Sequence, residues 1–173
     1  QDRPVIQKIL DSYNKGNAFN LLALSALTVL PANHKKKVVA RQNFSEDISI
    51  PDLVKLDSMD EQTRRLVLLL SELGAPDDNN VIPSLYRHLV YWPGFLSLSW
   101  STLVPLALDG RLQSITDLTY QLAGERATNI ADVVVWGPEP PRAEEAMKAI
   151  DKFRISTISR MLPIGLILRK AAG

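Results

Sequence analysis

Ser58-Met59-Asp60-Glu61-Gln62-Thr63-Arg64-Arg65-Leu66-Val67-Leu68-Leu69-Leu70-Ser71-Glu72-Leu73-Gly74-Ala75-Pro76 is the stretch whose reading decides the fold class. Ser58 and Glu61 have the spacing of a capping box: the serine hydroxyl can accept from the Glu61 N–H while the glutamate reaches back. Leu66, Leu69, Leu70 and Leu73 then recur at i, i+3, i+4 and i+7, which is one face of a helix. Gly74 and Pro76 close it.

The same period extends in both directions. Pro4 to Tyr13 forms a first turn or two of helix, with Pro4 as a favourable opener. Asn14-Lys15-Gly16-Asn17 reads as a turn, and Asn17 to Leu30 as a Leu/Ala-rich helix closed by Pro31. Asp77-Asp78-Asn79-Asn80 is a polar loop, and Ser84 to Tyr91 a short helix broken by Trp92-Pro93-Gly94. Pro93 opens the next helix, which runs toward Leu108, with Pro105 as a kink or the mark of its last turn. After the Asp109-Gly110 turn, Arg111 to about Val135 reads as a long helix with Ile115, Leu118 and Leu122 on one side. Val133 to Trp136 could instead be a short strand, but no partner strand is evident. Gly137-Pro138-Glu139-Pro140-Pro141 is the clearest linker. Ala143, Ala146, Met147, Ile150 and Phe153 trace another amphipathic helix. Pro163 and Gly165 predict a kinked or broken helix over Ile158–Leu168, before Arg169-Lys170. No segment alternates with period two. The pattern predicts an all-α, compact multi-helix domain of six to eight helices, spanning 1–173 as one unit.

Composition narrows the function classes. The chain has 173 residues, 20 Lys+Arg against 19 Asp+Glu, and a formal charge of +1. That balance gives no basic excess for nucleic acid. With no cysteine, thiol nucleophiles, Cys-ligated metals and disulfides are excluded. The two histidines, His34 and His88, lie far apart, and no H-E-x-x-H, G-x-S-x-G, Walker or G-x-G-x-x-G motif occurs. No metal site and no cofactor are therefore expected. His88 to Leu108 carries no formal charge and is long enough to cross a bilayer. Its serines, prolines and histidine argue for a protein-facing helix instead, so no membrane span is expected and the expected location is cytoplasmic. Lys35-Lys36-Lys37 with Arg41 reads as a solvated loop face or an anion contact. At an offset of 140 positions Leu21, Leu22, Leu24 and Leu27 match Met161, Leu162, Ile164 and Ile167. That match is open to two readings, a duplication across a pseudo-two-fold axis or two generic amphipathic helices.

One segment stands out chemically. Ser84 to Trp100 gathers Tyr86, Tyr91, Trp92, Phe95 and Trp100, five of the eleven aromatics, together with Arg87 and His88. Tyr86, Trp92 and Trp100 could wall a pocket for a small organic acid, with Arg87 or His88 at the anion. The same rings could equally be core packing with Arg87 a surface charge.

Tyr86-Arg87-x-Leu89-x-x-Trp92-Pro93-x-Phe95-Leu96, then Trp100 and Leu103-x-Pro105, resembles the repeat unit of the group I 2-haloacid dehalogenases, the cofactor-independent enzymes acting on both enantiomers. The resemblance is firm from about Leu73 to Pro105. It implies an all-helical fold, related to alkylhydroperoxidase-D-like helical proteins. Because the family pairs two such repeats in one chain, it also implies a homodimer here, with a site near the interface. The family's water-activating aspartate precedes the Tyr-Arg pair, and here that position is Leu85, which cannot act as a base. The expected function is thus a dehalogenase-like helical protein that binds a small organic acid without the family activity. The alternatives are a non-enzymatic dimerisation or membrane-associated module, and a hydrolase with a base relocated to Asp109 or Asp117. Whether the chain is an enzyme stays open at this level.

Overall fold

The computed structural model describes residues 2–29, 50–76, 81–131 and 143–173. Among them regular structure is helical throughout: α1 Arg3–Val29, α2 Glu61–Gly74, α3 Ser84–Leu89, α4 Pro93–Leu108, α5 Arg111–Ala131, α6 Ala143–Phe153 and α7 Ser159–Ala171. A 3₁₀ turn, Leu56–Ser58, precedes α2, and one π turn, Arg154–Ile158, joins α6 to α7. The all-α expectation holds. His34, the Lys35–Arg41 cluster, the Asp77–Asn80 loop, the Val133–Trp136 segment and the 137–141 linker lie outside the described residues.

Several local expectations change. Asp60, not Ser58, caps α2: its carboxylate accepts from the Thr63 N–H at 2.9 Å and the Thr63 hydroxyl at 2.6 Å. Ser58 instead donates to the Lys55 carbonyl at 2.7 Å. The Thr63 hydrogen bonds hold the Asp60 carboxyl below its ordinary range. A depressed carboxyl stabilises the fold above its unfolded value of about 3.9 and loses that contribution as pH falls through the folded value. Asp60→Ala should therefore lower the urea midpoint at neutral pH, with Ser58→Ala close to wild type. The Asp60→Ala difference should shrink in acid.

The buried face of α2 is also turned by one residue, to Val67, Leu70, Ser71 and Gly74. Small residues let the neighbouring elements approach there. A Cβ on Gly74 would stand 2.7 Å from the Met161 sulfur and 3.3 Å from the Tyr86 hydroxyl. The expected Asn14–Asn17 turn is absent, and α1 runs unbroken through Gly16. Asn14 is buried, and its amide packs where Gly165 of α7 has no side chain. Packing against α7 thus overrides a local turn preference. Pro163 lies inside an unbroken α7, and the irregular turn is the π segment that precedes it.

α4 resolves the uncharged stretch. Ser97, Ser99 and Ser101 each donate to the carbonyl four residues back, Pro93, Phe95 and Ser97, at 2.8–3.2 Å. The helix thus satisfies its own hydroxyls, and Pro105 falls in its last turn. Among the described residues no helix is long and apolar enough to cross a membrane.

α1 and α7 lie antiparallel. Arg3 donates to the Ala172 carbonyl, Asp11 pairs with Arg169 at 2.8 Å, and Leu21 meets Ile158. The two segments that match at an offset of 140 therefore lie on neighbouring helices, one inside the continuous α1 and the other in α7, just after the π turn. α5 runs antiparallel to α7, with Gln113 at Arg160 and Tyr120 at Arg154. The main core joins Ile9 and Leu10 to Leu70, Leu85, Tyr86, Leu89, Leu96, Leu103, Leu112 and Ile164. The inner face of α5 carries Leu112, Thr116, Ala123 and Ala127. Ile115, Leu118 and Leu122 do share one side of α5, and it is the outer side.

Candidate functional site

Three consecutive residues of α3 are turned about 100° apart by helical geometry, and each takes a different partner. Tyr86 points inward and is fully buried; its hydroxyl has no hydrogen-bond partner among the described residues and faces Gly74. Burial pushes the phenol well above its usual range, only partly offset by the positive charge of Arg160. The cation near Tyr86 is thus Arg160 of α7. Arg87 instead donates through Nε to the Val54 carbonyl at 2.8 Å.

His88 is buried. Its Nδ1 lies 2.7 Å from the Tyr13 hydroxyl of α1, with the two rings 5.6 Å apart at 56°. The Pro51 backbone carbonyl lies on the side of the ring and favours its charged form. Desolvation holds the imidazole below its ordinary value, with the neighbouring Arg87 charge adding to it and the Pro51 carbonyl opposing. Tyr13 is shifted upward, chiefly by burial.

Tyr91, one turn on, donates to the Asp52 carbonyl at 2.9 Å and meets Trp92 edge-on at 6.0 Å. Trp92 and Trp100 are half-buried and pack against the main core. The structure thus brings Arg87 and Tyr91 together on one object, the segment Ile50–Lys55, through the carbonyls of residues 54 and 52, while His88 pairs with Tyr13 of α1. It does not bring Tyr86, Arg87 and His88 to a common point. Leu85, at the position of the family's aspartate, is sealed in the core at 1% exposure.

The two alternative bases are both exposed. Asp109 accepts from the Arg111 backbone N–H at 3.0 Å and from Arg111 Nε at 2.8 Å, which lowers its carboxyl below the usual range. A lowered carboxyl is a weaker base. Asp117 accepts from Gln113 at 2.7 Å.

Two buried arginines went unforeseen. Arg160 donates to the Leu73 carbonyl and, at 2.7 Å, to Gln113. Arg154 donates to the Tyr120 hydroxyl and to Asp151, each at 3.1 Å, and stacks 4.8 Å from the centre of the Tyr120 ring. Arg160 sits on the inward stripe Thr157, Arg160, Ile164, Leu168. A charge in register with apolar neighbours was the available signal.

Two open grooves lie elsewhere. One, of about 330 Å³, runs along α1 past Gln7, Lys8, Asp11 and Lys15 to Arg169. The other, of about 410 Å³, separates Asn20, Ala23 and Leu24 of α1 from Ala149, Ile150 and Phe153 of α6. Neither is lined by Tyr86, Arg87, His88, Trp92 or Trp100. Among the described residues no cluster of three or more histidines and carboxylates could hold a metal ion. No family model, no curated protein and no solved structure matches the chain.

Proposed function

We propose that this chain is a helical assembly module that pairs with a second copy of itself through the outer face of α5. One observation carries the reading. α5 buries its small and polar side, Thr116, Ala123 and Ala127 with Leu112, and leaves Ile115, Leu118 and Leu122 at 40%, 52% and 44% exposure. Leu108, at the corner leading into α5, is 83% exposed. Branched apolar residues at i, i+3 and i+7 on an outer face are costly in water and suit an interface. The charges fit a second copy. Arg111 and Glu125 each lie seven residues from Leu118. An antiparallel α5 pair centred on Leu118 sets Arg111 of each copy against Glu125 of the other, the self-complementarity a two-fold interface requires.

The small-acid pocket has less support. The polar groups expected at the anion are engaged within the chain, Arg87 on the Val54 carbonyl and His88 on the Tyr13 hydroxyl, and the hydroxyl of Tyr86 is sealed inside. NMR titration with 2-chloropropionate and lactate tests it: the assembly reading expects no shifts over Tyr86–Trp100.

Sedimentation at micromolar concentration tests the pairing. The wild type should be dimeric. Leu118→Glu should weaken the dimer at least ~30-fold, the size of a central interface residue, while the monomer keeps its helicity and urea midpoint. Arg111→Glu should weaken it, and Arg111→Glu with Glu125→Arg should restore it. A monomeric wild type overturns the proposal. So does a Leu118→Glu chain that loses stability as a monomer, because the stripe would then be covered by its own chain.

A further inference from the structure

The groove of about 330 Å³ between α1 and the end of α7 sets Lys8, Lys15 and Arg169 around a single carboxylate, Asp11. Its lining carries a surplus of two positive charges, on a chain whose whole formal charge is +1. Asp11 accepts from Nε of Arg169 at 2.8 Å, and the terminal guanidinium nitrogens bond to no described residue. Lys8 forms no ion pair among the described residues. A cleft lined by one sign of charge raises the local concentration of its counter-ion. We propose that this groove is a binding site for a diphosphate group.

The walls are fixed before a ligand arrives. Ile6, Ile9 and Leu10 of α1 and Leu168 of α7 are buried in the main core. The turns that carry Lys8, Asp11, Ser12, Lys15 and Arg169 are therefore held in place, which lowers the cost of binding. Lys8 and Lys15 are seven residues apart, about 10.5 Å along the helix axis. They flank Asp11, and Arg169 joins the row there. A single phosphate meets Arg169 and one lysine. Two linked phosphates reach along the row, the guanidinium taking a pair of oxygens and each flexible ammonium an end. Gln7 closes the groove at one side, where its amide donates to the Ala172 and Gly173 carbonyls. Ser12 adds a hydroxyl to the wall. The lining holds no aromatic ring and no second carboxylate, so it reads the charge of a ligand and not a ring or an ammonium group. Its volume is at the lower end for ligand clefts, about 300–1,000 Å³, which suits a compact anion.

Titration of the full chain with inorganic diphosphate at constant ionic strength, followed by NMR, tests this independently of pairing through α5. The amides of residues 7–15 and 169 should shift and saturate with a Kd below ~1 mM. Inorganic phosphate should bind at least ~10-fold more weakly, since it spans only part of the row. Lys8→Glu, on the exposed side of α1, should weaken diphosphate at least ~10-fold and leave the urea midpoint unchanged. ADP bound at least as tightly as the free ion assigns the site to a diphosphate carried on a larger molecule, and weaker ADP assigns it to the free ion. Four results overturn the proposal: shifts that do not saturate by ~10 mM, shifts spread equally over exposed cations elsewhere such as Arg64 and Arg65, phosphate bound as tightly as diphosphate, or a Lys8→Glu chain with unchanged affinity.

Discussion

Leu85→Asp will strip away much of the chain's stability and release no halide from 2-chloropropionate. Restoring an aspartate before Tyr86-Arg87 is the substitution that the dehalogenase resemblance invites. In this fold the position is 1% exposed among Leu89, Tyr86 and the other core side chains. Removing a buried leucine forfeits about 1.5–3 kcal/mol of apolar burial. Seating even a neutral carboxyl without a partner costs about 1–3 kcal/mol more. The sum, on the order of 4 kcal/mol, is a large part of the 5–15 kcal/mol by which a domain of this kind is stable. Circular dichroism against urea is the measurement. The expected result is a collapsed midpoint, with no chloride released from either enantiomer. A folded variant with halide release would return Leu85 to an open site.

The second large effect is at Tyr86. Tyr86→Ala should cost about 3–5 kcal/mol, the range for emptying a fully buried aromatic position. Tyr86→Phe should behave in the opposite sense. The hydroxyl is buried with no hydrogen-bond partner among the described residues, so removing it relieves a desolvation cost and should leave stability unchanged or up to ~1 kcal/mol higher. Paired urea melts separate the roles. A phenol that holds a ligand or a hidden partner would make the phenylalanine variant less stable or unable to bind. A phenol that only fills volume gives the asymmetry described.

Fold class was legible because period 3.6 recurs from α1 to α7 and no segment alternates. Helix phase was less so. Ser58 to Glu61 and Asp60 to Thr63 both satisfy capping chemistry, and only the position of the 3₁₀ turn at Leu56–Ser58 decides between them. In α2 a run of leucines gives nearly equal weight to two faces, and the choice falls to Ser71 and Gly74, whose size matters only once a neighbour is in place. In α5 the more apolar side is the outer one, which no single-chain pattern can announce. The aromatic segment was open to two readings, a pocket wall or core packing, and Tyr86, Trp92 and Trp100 pack on the main core. Arg87 and Tyr91 bind the protein's own carbonyls, and that depends on Ile50–Lys55, a stretch with no motif. Arg154 and Arg160 are charges that local composition assigns to the surface, although both are buried by partners far away in sequence.

The π turn between α6 and α7 sets the phase of everything after it. The Ser159 N–H reaches back five residues to Arg154, and the Ser159 hydroxyl joins it at 2.7 Å. One residue more or fewer in that coil rotates the C-terminal rod by about 100°. Deleting one would move Gly165 into the slot of Ile164 and Arg169 into that of Leu168, both 0% exposed. Leu166 would then arrive opposite Asn14, where glycine now lets the amide pass. The chain can therefore tolerate changed lengths ahead of this coil far better than within it: Arg154–Ile158 works as the keyway that orients the final helix.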